Sequence, residues 1–323
     1  MASRGLKKRL ANNLRKISPA LAFRLGLKLL VFLPGLAVAA VRSFWRIRRW
    51  RDAARSRLFI ARNRLAFEGI DESTLVVEAK AGGVLNSNQI WSCRDASGKT
   101  VRYFVKIFLP MGSFWAKHLS ELSPFPAIRA GGTHERFTAD LVGRAELAAL
   151  GIAVPRLVAF DAVEKLMVTE WLDGSNVDEL LARIASRPGL VEEEDRHVVR
   201  LCATELARVH EAGFSLIDTQ PVNCIWVPTQ GKVYFTDLEF CTREDRRVWD
   251  VGFFLCFLAL RFSGEKKKVL SAVFVENYRS SCVKPLRGVG RAGADLKEYL
   301  PVLESLLDVR RFTPEDLLSE LSS

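Results

Sequence analysis

Strand patterns come early in this chain and helical patterns later. From about residue 73, STLVVEAKAGGVLNSNQIWSC reads as strand, glycine-containing turn and strand. The polar turn RDASGKT follows, then the alternating strand VRYFVKIFL with Lys106 in it. Together these predict an antiparallel meander. Residues 111–134 are irregular, with Pro124, Pro126 and the Gly131-Gly132 pair. RFTADLVGRAELAALGI then reads as a helix, with apolar residues at Leu141, Ala145, Ala148 and Ala149 and a stop at Gly151. Two more strands are predicted in AVPRLVAFDAV and KLMVTEWL. After Gly174 the pattern is largely helical: NVDELLARIAS, then EDRHVVRLCATELARVHEAG. The loop DTQPVN and the short strands CIWVP and KVYFTDLEF interrupt it, and helices fill the remainder. This order predicts an α+β molecule of two lobes, a small antiparallel sheet followed by a mainly helical body, with a cleft between them.

Residues 1–66 stand apart by charge. They hold 17 Lys and Arg against one acid, Asp52, a net of +16, while the other 257 residues hold 31 bases and 36 acids. The basic balance of the whole chain is therefore a property of one end, which lowers nucleic-acid binding as a general reading. Within that end lies LLVFLPGLAVAAV, Leu29 to Val41, broken by Pro34-Gly35 and shorter than the roughly 20 residues of a bilayer-crossing helix. Ala37-Val38-Ala39 has the form of a cleavage site, but 28 residues before the apolar run make a long leader for a signal peptide. The next segment interleaves Trp45, Trp50, Phe44 and Phe59 with nine arginines. Arginine meets anionic phosphates and indole straddles the headgroup boundary, so the segment suits peripheral or re-entrant association with an anionic membrane surface. A helical extension packed on the body, a true span and a nucleic-acid arm are the competing readings. The boundary between this end and the body is predicted at residue 66. The six cysteines have no CxxC spacing and the four histidines are scattered, so no zinc pattern is present.

Four chemistry-bearing features occur in a fixed order. Lys106 lies in a third strand and Glu146 in the helix after it. Asp218 and Asn223, five residues apart, lie in a loop after a long helix, and Asp237 follows the next strand pair. Singly each is commonplace: a strand lysine often snorkels to the surface, and D-x-x-x-x-N is ordinary turn chemistry. In conjunction they match the needs of phosphoryl transfer. A lysine meets the phosphates, a helix glutamate holds the lysine, a carboxylate and an amide hold metal ions, and a second carboxylate receives the acceptor proton.

RAELAALGIAVPRLVAFDAVEKLMVTEWLDG, VHEAGFSLIDTQPVNCIW, VYFTDLEF and TREDRRVWDVGFFL resemble stretches of the protein-kinase-like superfamily over roughly residues 73–262. The branch they resemble is the atypical one of the lipopolysaccharide core-sugar (heptose and Kdo) kinases, the small kinase of the KEOPS complex and the RIO kinases. The resemblance implies a two-lobed protein-kinase-like fold, small lobe to about residue 172 and large lobe beyond. It implies ATP and Mg2+ as cofactors and a hydroxyl acceptor. By position, Lys106 would bind the α- and β-phosphates, Glu146 would pair with it, and Asp218 would be the catalytic carboxylate. Asn223 and Asp237 would hold metal. Gly82 and Gly83 would turn over the phosphates, although GGVLNSNQIW lacks the full G-x-G-x-x-G. Glu170, Trp171 and Leu172 would offer hinge backbone to adenine, and Asp250 would accept from the catalytic-loop backbone.

Two positions depart from the pattern. Leu216-Ile217-Asp218 stands where His-Gly-Asp or His-Arg-Asp is usual, removing a histidine that braces the loop. Asp237-Leu238-Glu239 has Glu where most kinases have Gly, as the lipopolysaccharide branch does. Combined with the basic, apolar end, these features predict a kinase acting on a sugar of a membrane lipid at the cytoplasmic face of the inner membrane. An atypical Ser/Thr protein kinase and a nucleotide-binding pseudokinase scaffold are the alternatives. No nucleic-acid partner is expected.

Overall fold

The structure is a computed structural model that describes residues 41–50, 52–80, 85–110 and 131–282. The chain divides into two compact units, Met1–Arg49 and Trp50–Ser323. In the first, residues 41–49 are helical. Phe44 and Trp45 are exposed there and meet edge to face at 5.8 Å, and the Arg48 guanidinium lies 5.9 Å from the Trp45 ring centroid. Leu29 to Ala40 lie outside the described residues. Among the described residues no helix is long and apolar enough to cross a membrane.

The second unit is α+β and two-lobed. Its small lobe is a five-stranded antiparallel sheet in the order β1-β2-β3-β5-β4, built from β1 (Ile70–Lys80), β2 (Asn86–Asp95), β3 (Thr100–Phe108), β4 (Leu157–Asp161) and β5 (Leu166–Glu170). The two faces of the sheet differ because alternate residues point to opposite sides. Gln89, Trp91 and Cys93 of β2, with Tyr103, Val105 and Ile107 of β3, face helix α1 (Ala53–Arg62). Asn88 sits opposite Lys106 in the β2–β3 register, on the other face, toward the cleft.

Helix α1 lies inside the segment 1–66 that the charge pattern sets apart. Arg57 and Arg62 face solvent and Arg55 pairs with Glu164 over the Trp50 ring, while Phe59 and Ile60, with Trp50 just before the helix, are buried against Trp91. Trp50 and Phe59 approach the Trp91 ring at 6.3 and 5.9 Å. Asp52 caps the helix by accepting from the Ala54 N–H at 2.9 Å. The compact body therefore starts at Trp50, not after residue 66.

Helix α2 (Thr133–Ala149) runs beside the sheet. Its buried face is Arg136, Phe137, Asp140, Gly143, Arg144 and Leu147. Of the apolar residues that mark this helix in the sequence, Ala145, Ala148 and Ala149 are exposed. Small alanines do not compete with Phe137 and Leu147 for burial, and Arg144 is drawn inward by Asp140.

The large lobe holds α3 (Val177–Ser186), α4 (Glu193–Glu211), α5 (Arg247–Arg261) and α6 (Gly264–Ser281), with a small sheet β6-β7-β8 (Ser175–Asn176, Cys224–Val227, Lys232–Phe235). Helix α5 is buried over most of its circumference, as expected of a helix apolar nearly all round. Phe254 stacks on Phe274 at 4.5 Å to join α5 to α6. Gly174 precedes the small sheet because a Cβ there would come within 2.3 Å of the Trp226 carbonyl.

Candidate active site

Lys106 reaches from β3 into the cleft and is nearly fully buried. Its ammonium donates to Asp140 Oδ2 at 2.9 Å and to Asp237 Oδ1, and lies 3.2 Å from Glu239 Oε2. Burial alone would discharge the lysine. The three carboxylates outweigh it and raise its pKa above the ordinary lysine range, so the ammonium stays charged.

The helix carboxylate on Lys106 is Asp140, not Glu146. Glu146 is on the outward side of α2 and pairs with Arg243 at 3.0 Å, with both side chains well exposed. The six residues between 140 and 146 amount to about 240° of helix rotation, so the two cannot share a face. Asp140 is fully buried and also takes Arg144 at 2.7 Å. Burial pushes its carboxyl up, but Lys106 and Arg144 together hold it down at about 2. The signal in the sequence was the spacing Phe137, Asp140, Arg144, Leu147, one helical face carrying an i, i+4 ion pair.

Glu239 is the second acid the sequence reading left without a role. It is buried and accepts from Asn86 Nδ2 at 2.8 Å and Arg136 Nη1 at 3.2 Å. Arg136 is almost wholly buried and also donates to Asn86 Oδ1 and to the carbonyls of Leu85 and Leu109. Glu239 thus ties β2, β3 and α2 of the small lobe to the segment after β8.

Asp218 and Asn223 bracket a short loop closed by a 3-10 turn, Pro221–Asn223. Gln220 Nε2 donates to Asp218 Oδ1 at 2.6 Å, and Asn223 Nδ2 donates to the Asp218 carbonyl at 3.1 Å. The Asn223 carbonyl accepts from Thr236 N at 2.8 Å, which fixes the loop to the residue before Asp237. Burial, then the charge of Asp237, push the Asp218 carboxyl up to about 6; Gln220 and Asn223 work against that rise. The Asp237 carboxyl is also raised, by burial and the neighbouring acids Glu239 and Asp140.

The loop is braced from below by Asp250 of α5, which is fully buried. Its carboxylate accepts from Leu216 N at 2.7 Å and Ile217 N at 2.8 Å, and lies 3.0 Å from His210 Nε2. The brace holds Ile217 at φ +68°, left-handed backbone that a β-branched residue avoids. Trp249 Nε1 donates to the Ile217 carbonyl at 2.9 Å and Thr219 Oγ1 to the Asp250 carbonyl at 2.7 Å. Leu216, at the place of the missing histidine, packs into the large-lobe core. The polar contact to Asp250 comes instead from His210, near the end of α4, whose other ring nitrogen meets the Tyr278 hydroxyl at 2.6 Å.

At the end of β5, the Glu170 N–H donates to the Arg156 carbonyl at 3.0 Å and is not free for a ligand. Its carboxylate accepts from Arg156 N at 2.8 Å. Leu172 is half-buried just beyond, and the Arg102 guanidinium sits 5.0 Å over the Trp171 ring. Gly82 and Gly83 lie outside the described residues.

Among the described residues no three His, Cys, Asp or Glu side chains are grouped to hold a metal ion. Around the loop the site offers the carboxylate of Asp237, paired with Lys106, and the side-chain amide of Asn223, with the Asp218 carboxylate close by. Two hard oxygen donors fit Mg2+, which prefers a few protein ligands with phosphate oxygens and waters completing its shell.

The chain matches no family model and no curated protein. Among solved structures it is similar to one of WaaP in complex with acyl carrier protein: 18% identical, covering 76% of this chain and 95% of that one, with a TM-score of 0.43. The chemistry of the cleft is therefore read from its own geometry.

Proposed function

We propose that the protein is an ATP-dependent kinase that transfers the γ-phosphoryl group to a hydroxyl on a sugar of a membrane lipid. The observation that carries this reading is the meeting of Lys106 from the small lobe with Asp237 from the large one, beside a loop that presents Asp218 and Asn223. A charged lysine buried among acids has an unused capacity for anions once one acid is engaged elsewhere. Asp237 and Asn223 would hold Mg2+, which supplies charge neutralisation at the phosphates. With Asp237 so engaged, Lys106 is released to the α- and β-phosphates while Asp140 and Glu239 keep it aimed. Asp218 takes the proton of the acceptor hydroxyl. The acceptor oxygen bonds to the γ-phosphorus as the bond to the β,γ-bridging oxygen breaks, and ADP leaves with that electron pair. Positioning and electrostatics supply most of the rate, so the fixed loop and the buried cations are the needed parts.

The lipid acceptor is supported by the charge of residues 1–66 and the exposed Phe44 and Trp45, which suit an anionic membrane surface on the ATP-containing side. ATP turnover by the full chain with Mg2+, against lipid-extract and protein acceptors, tests the reading. Turnover that depends on a glycolipid fraction and vanishes in Asp237→Ala is expected. Mg2+-dependent nucleotide binding unchanged in Asp237→Ala would remove Asp237 from the site.

A further inference from the structure

We infer that Gln220 is the positioning residue of the catalytic loop, its side chain holding Asp218 by one oxygen so that the other faces the acceptor hydroxyl. The inference rests on the phosphoryl-transfer reading. Gln220 serves the loop twice, through different atoms. Its backbone carbonyl accepts from Asn223 N at 2.8 Å and closes the turn that carries the metal-side amide. Its side-chain amide donates to Asp218 Oδ1 at 2.6 Å. Thr219, between the two, is turned inward and fastened to the Asp250 carbonyl, so its neighbours on either side face the cleft. Pro221 fixes the backbone just after Gln220 at the start of the 3-10 turn. Asn223 Nδ2 donates to the Asp218 backbone carbonyl at 3.1 Å and also acts on the carboxylate, while the Gln220 bond to Oδ1 is the shorter of the two. Without the Gln220 donor the carboxylate is freer to turn about χ2, whose preference is broad. A neutral amide donor fixes that torsion without neutralising the charge that must receive the proton.

Because the two functions use different atoms, substituting the side chain separates them. In the full chain, Gln220→Leu keeps the bulk and the backbone carbonyl but loses the donor. Its kcat should fall about 100-fold, the cost of misplacing a catalytic group by about 1 Å. Mg2+-dependent ATP affinity and the thermal midpoint should stay at the wild-type values. Gln220→Asn restores a neutral amide donor on a side chain one methylene shorter and should recover part of the loss. Wild-type kcat in Gln220→Leu would overturn the assignment. So would parallel loss of kcat, nucleotide affinity and thermal stability without any rescue by Asn, which marks a merely structural residue. If the wild-type chain turns over no ATP with any acceptor while the Leu variant is equally folded, the phosphoryl-transfer reading falls, and the role of Gln220 falls with it.

Discussion

Asp218 carries its charge at a cost in the folded protein. Its carboxyl titrates near 6 in the fold against an ordinary value of 3.8, because burial and Asp237 oppose ionisation. Two units correspond to roughly 2–3 kcal/mol. The penalty is fully present above pH 6, shrinks as pH falls, and is gone below the unfolded value, where both states bind the proton. Asp218→Asn should therefore raise the thermal midpoint by several degrees at pH 7.5 and by little at pH 4. An equal rise at both pH values would mean that charge is not the cause. Asp140 has the opposite sign. Its carboxyl is held at about 2, so it stabilises above the unfolded carboxylate range and loses that contribution as pH falls toward 2. Asp140→Ala breaks a buried pair and should cost about 3 kcal/mol or more. Glu146→Ala removes a surface pair and should cost less than about 1 kcal/mol. Denaturant midpoints of the two variants compare them directly. Order and spacing single out Lys106, Asp218, Asn223 and Asp237 in the sequence, and the structure brings Lys106 to Asp237 and Asn223 to Asp218. The helix partner of Lys106 was not legible there, because two acids six residues apart on one helix differ only in the face they occupy.

Among the elements, most strands and helices of the body follow their sequence periods, with one apolar face and a definite stop, while α5 is apolar nearly all round and the alanines of α2 are exposed. The loop between α4 and β7 is different: its conformation is imposed from outside. Ile217 in left-handed backbone costs about 1–3 kcal/mol, and the Asp250 carboxylate offsets that by accepting two consecutive backbone N–H groups. Removing it in Asp250→Ala leaves both donors buried and unpaired, at about 1–3 kcal/mol each. The expected outcome is a drop of several kcal/mol in stability, with hydrogen exchange accelerating first at Leu216 and Ile217. Protection at those two amides that persisted in the variant would show that other contacts hold the loop. Asp250 could be anticipated from its place in the chain. His210 could not be assigned a partner, because a histidine on the inner face of a helix names no acceptor until α5 and α6 are packed against it. The bracing contact expected from a histidine two residues before Asp218 thus comes from His210, near the end of α4.

At the scale of the whole chain, the +16 charge of residues 1–66 conceals a division at Trp50. Arginines on α1 made it look like a continuation of the basic end, yet Trp50, Phe59 and Ile60 cover the outer face of the sheet. Each large side chain removed from water there stabilises by about 1.5–3 kcal/mol. A chain begun at residue 67 should therefore aggregate or melt many degrees lower, whereas one begun at residue 50 should fold as the body does. That difference decides how membrane binding is tested, because deletion of 1–66 would confound lost tethering with lost stability. The variant to use lacks residues 1–49. In that segment Arg42, Arg48 and Arg49 share a helical stretch with the exposed Phe44 and Trp45. Each arginine near an anionic surface contributes on the order of 1 kcal/mol, an attraction screened over about 8 Å at physiological salt. Burial of the aromatic rings and of the apolar run Leu29 to Val41 is insensitive to that screening. In flotation with vesicles containing phosphatidylglycerol, the full chain should rise with the lipid and remain largely bound in 1 M salt. Phe44→Ala combined with Trp45→Ala should make the binding more salt-sensitive. The chain lacking 1–49 should stay with the soluble fraction while keeping its thermal midpoint. Flotation of that shortened, folded body would move the membrane contact to the unit that begins at Trp50, and failure of the full chain to float would leave its basic end to some other partner.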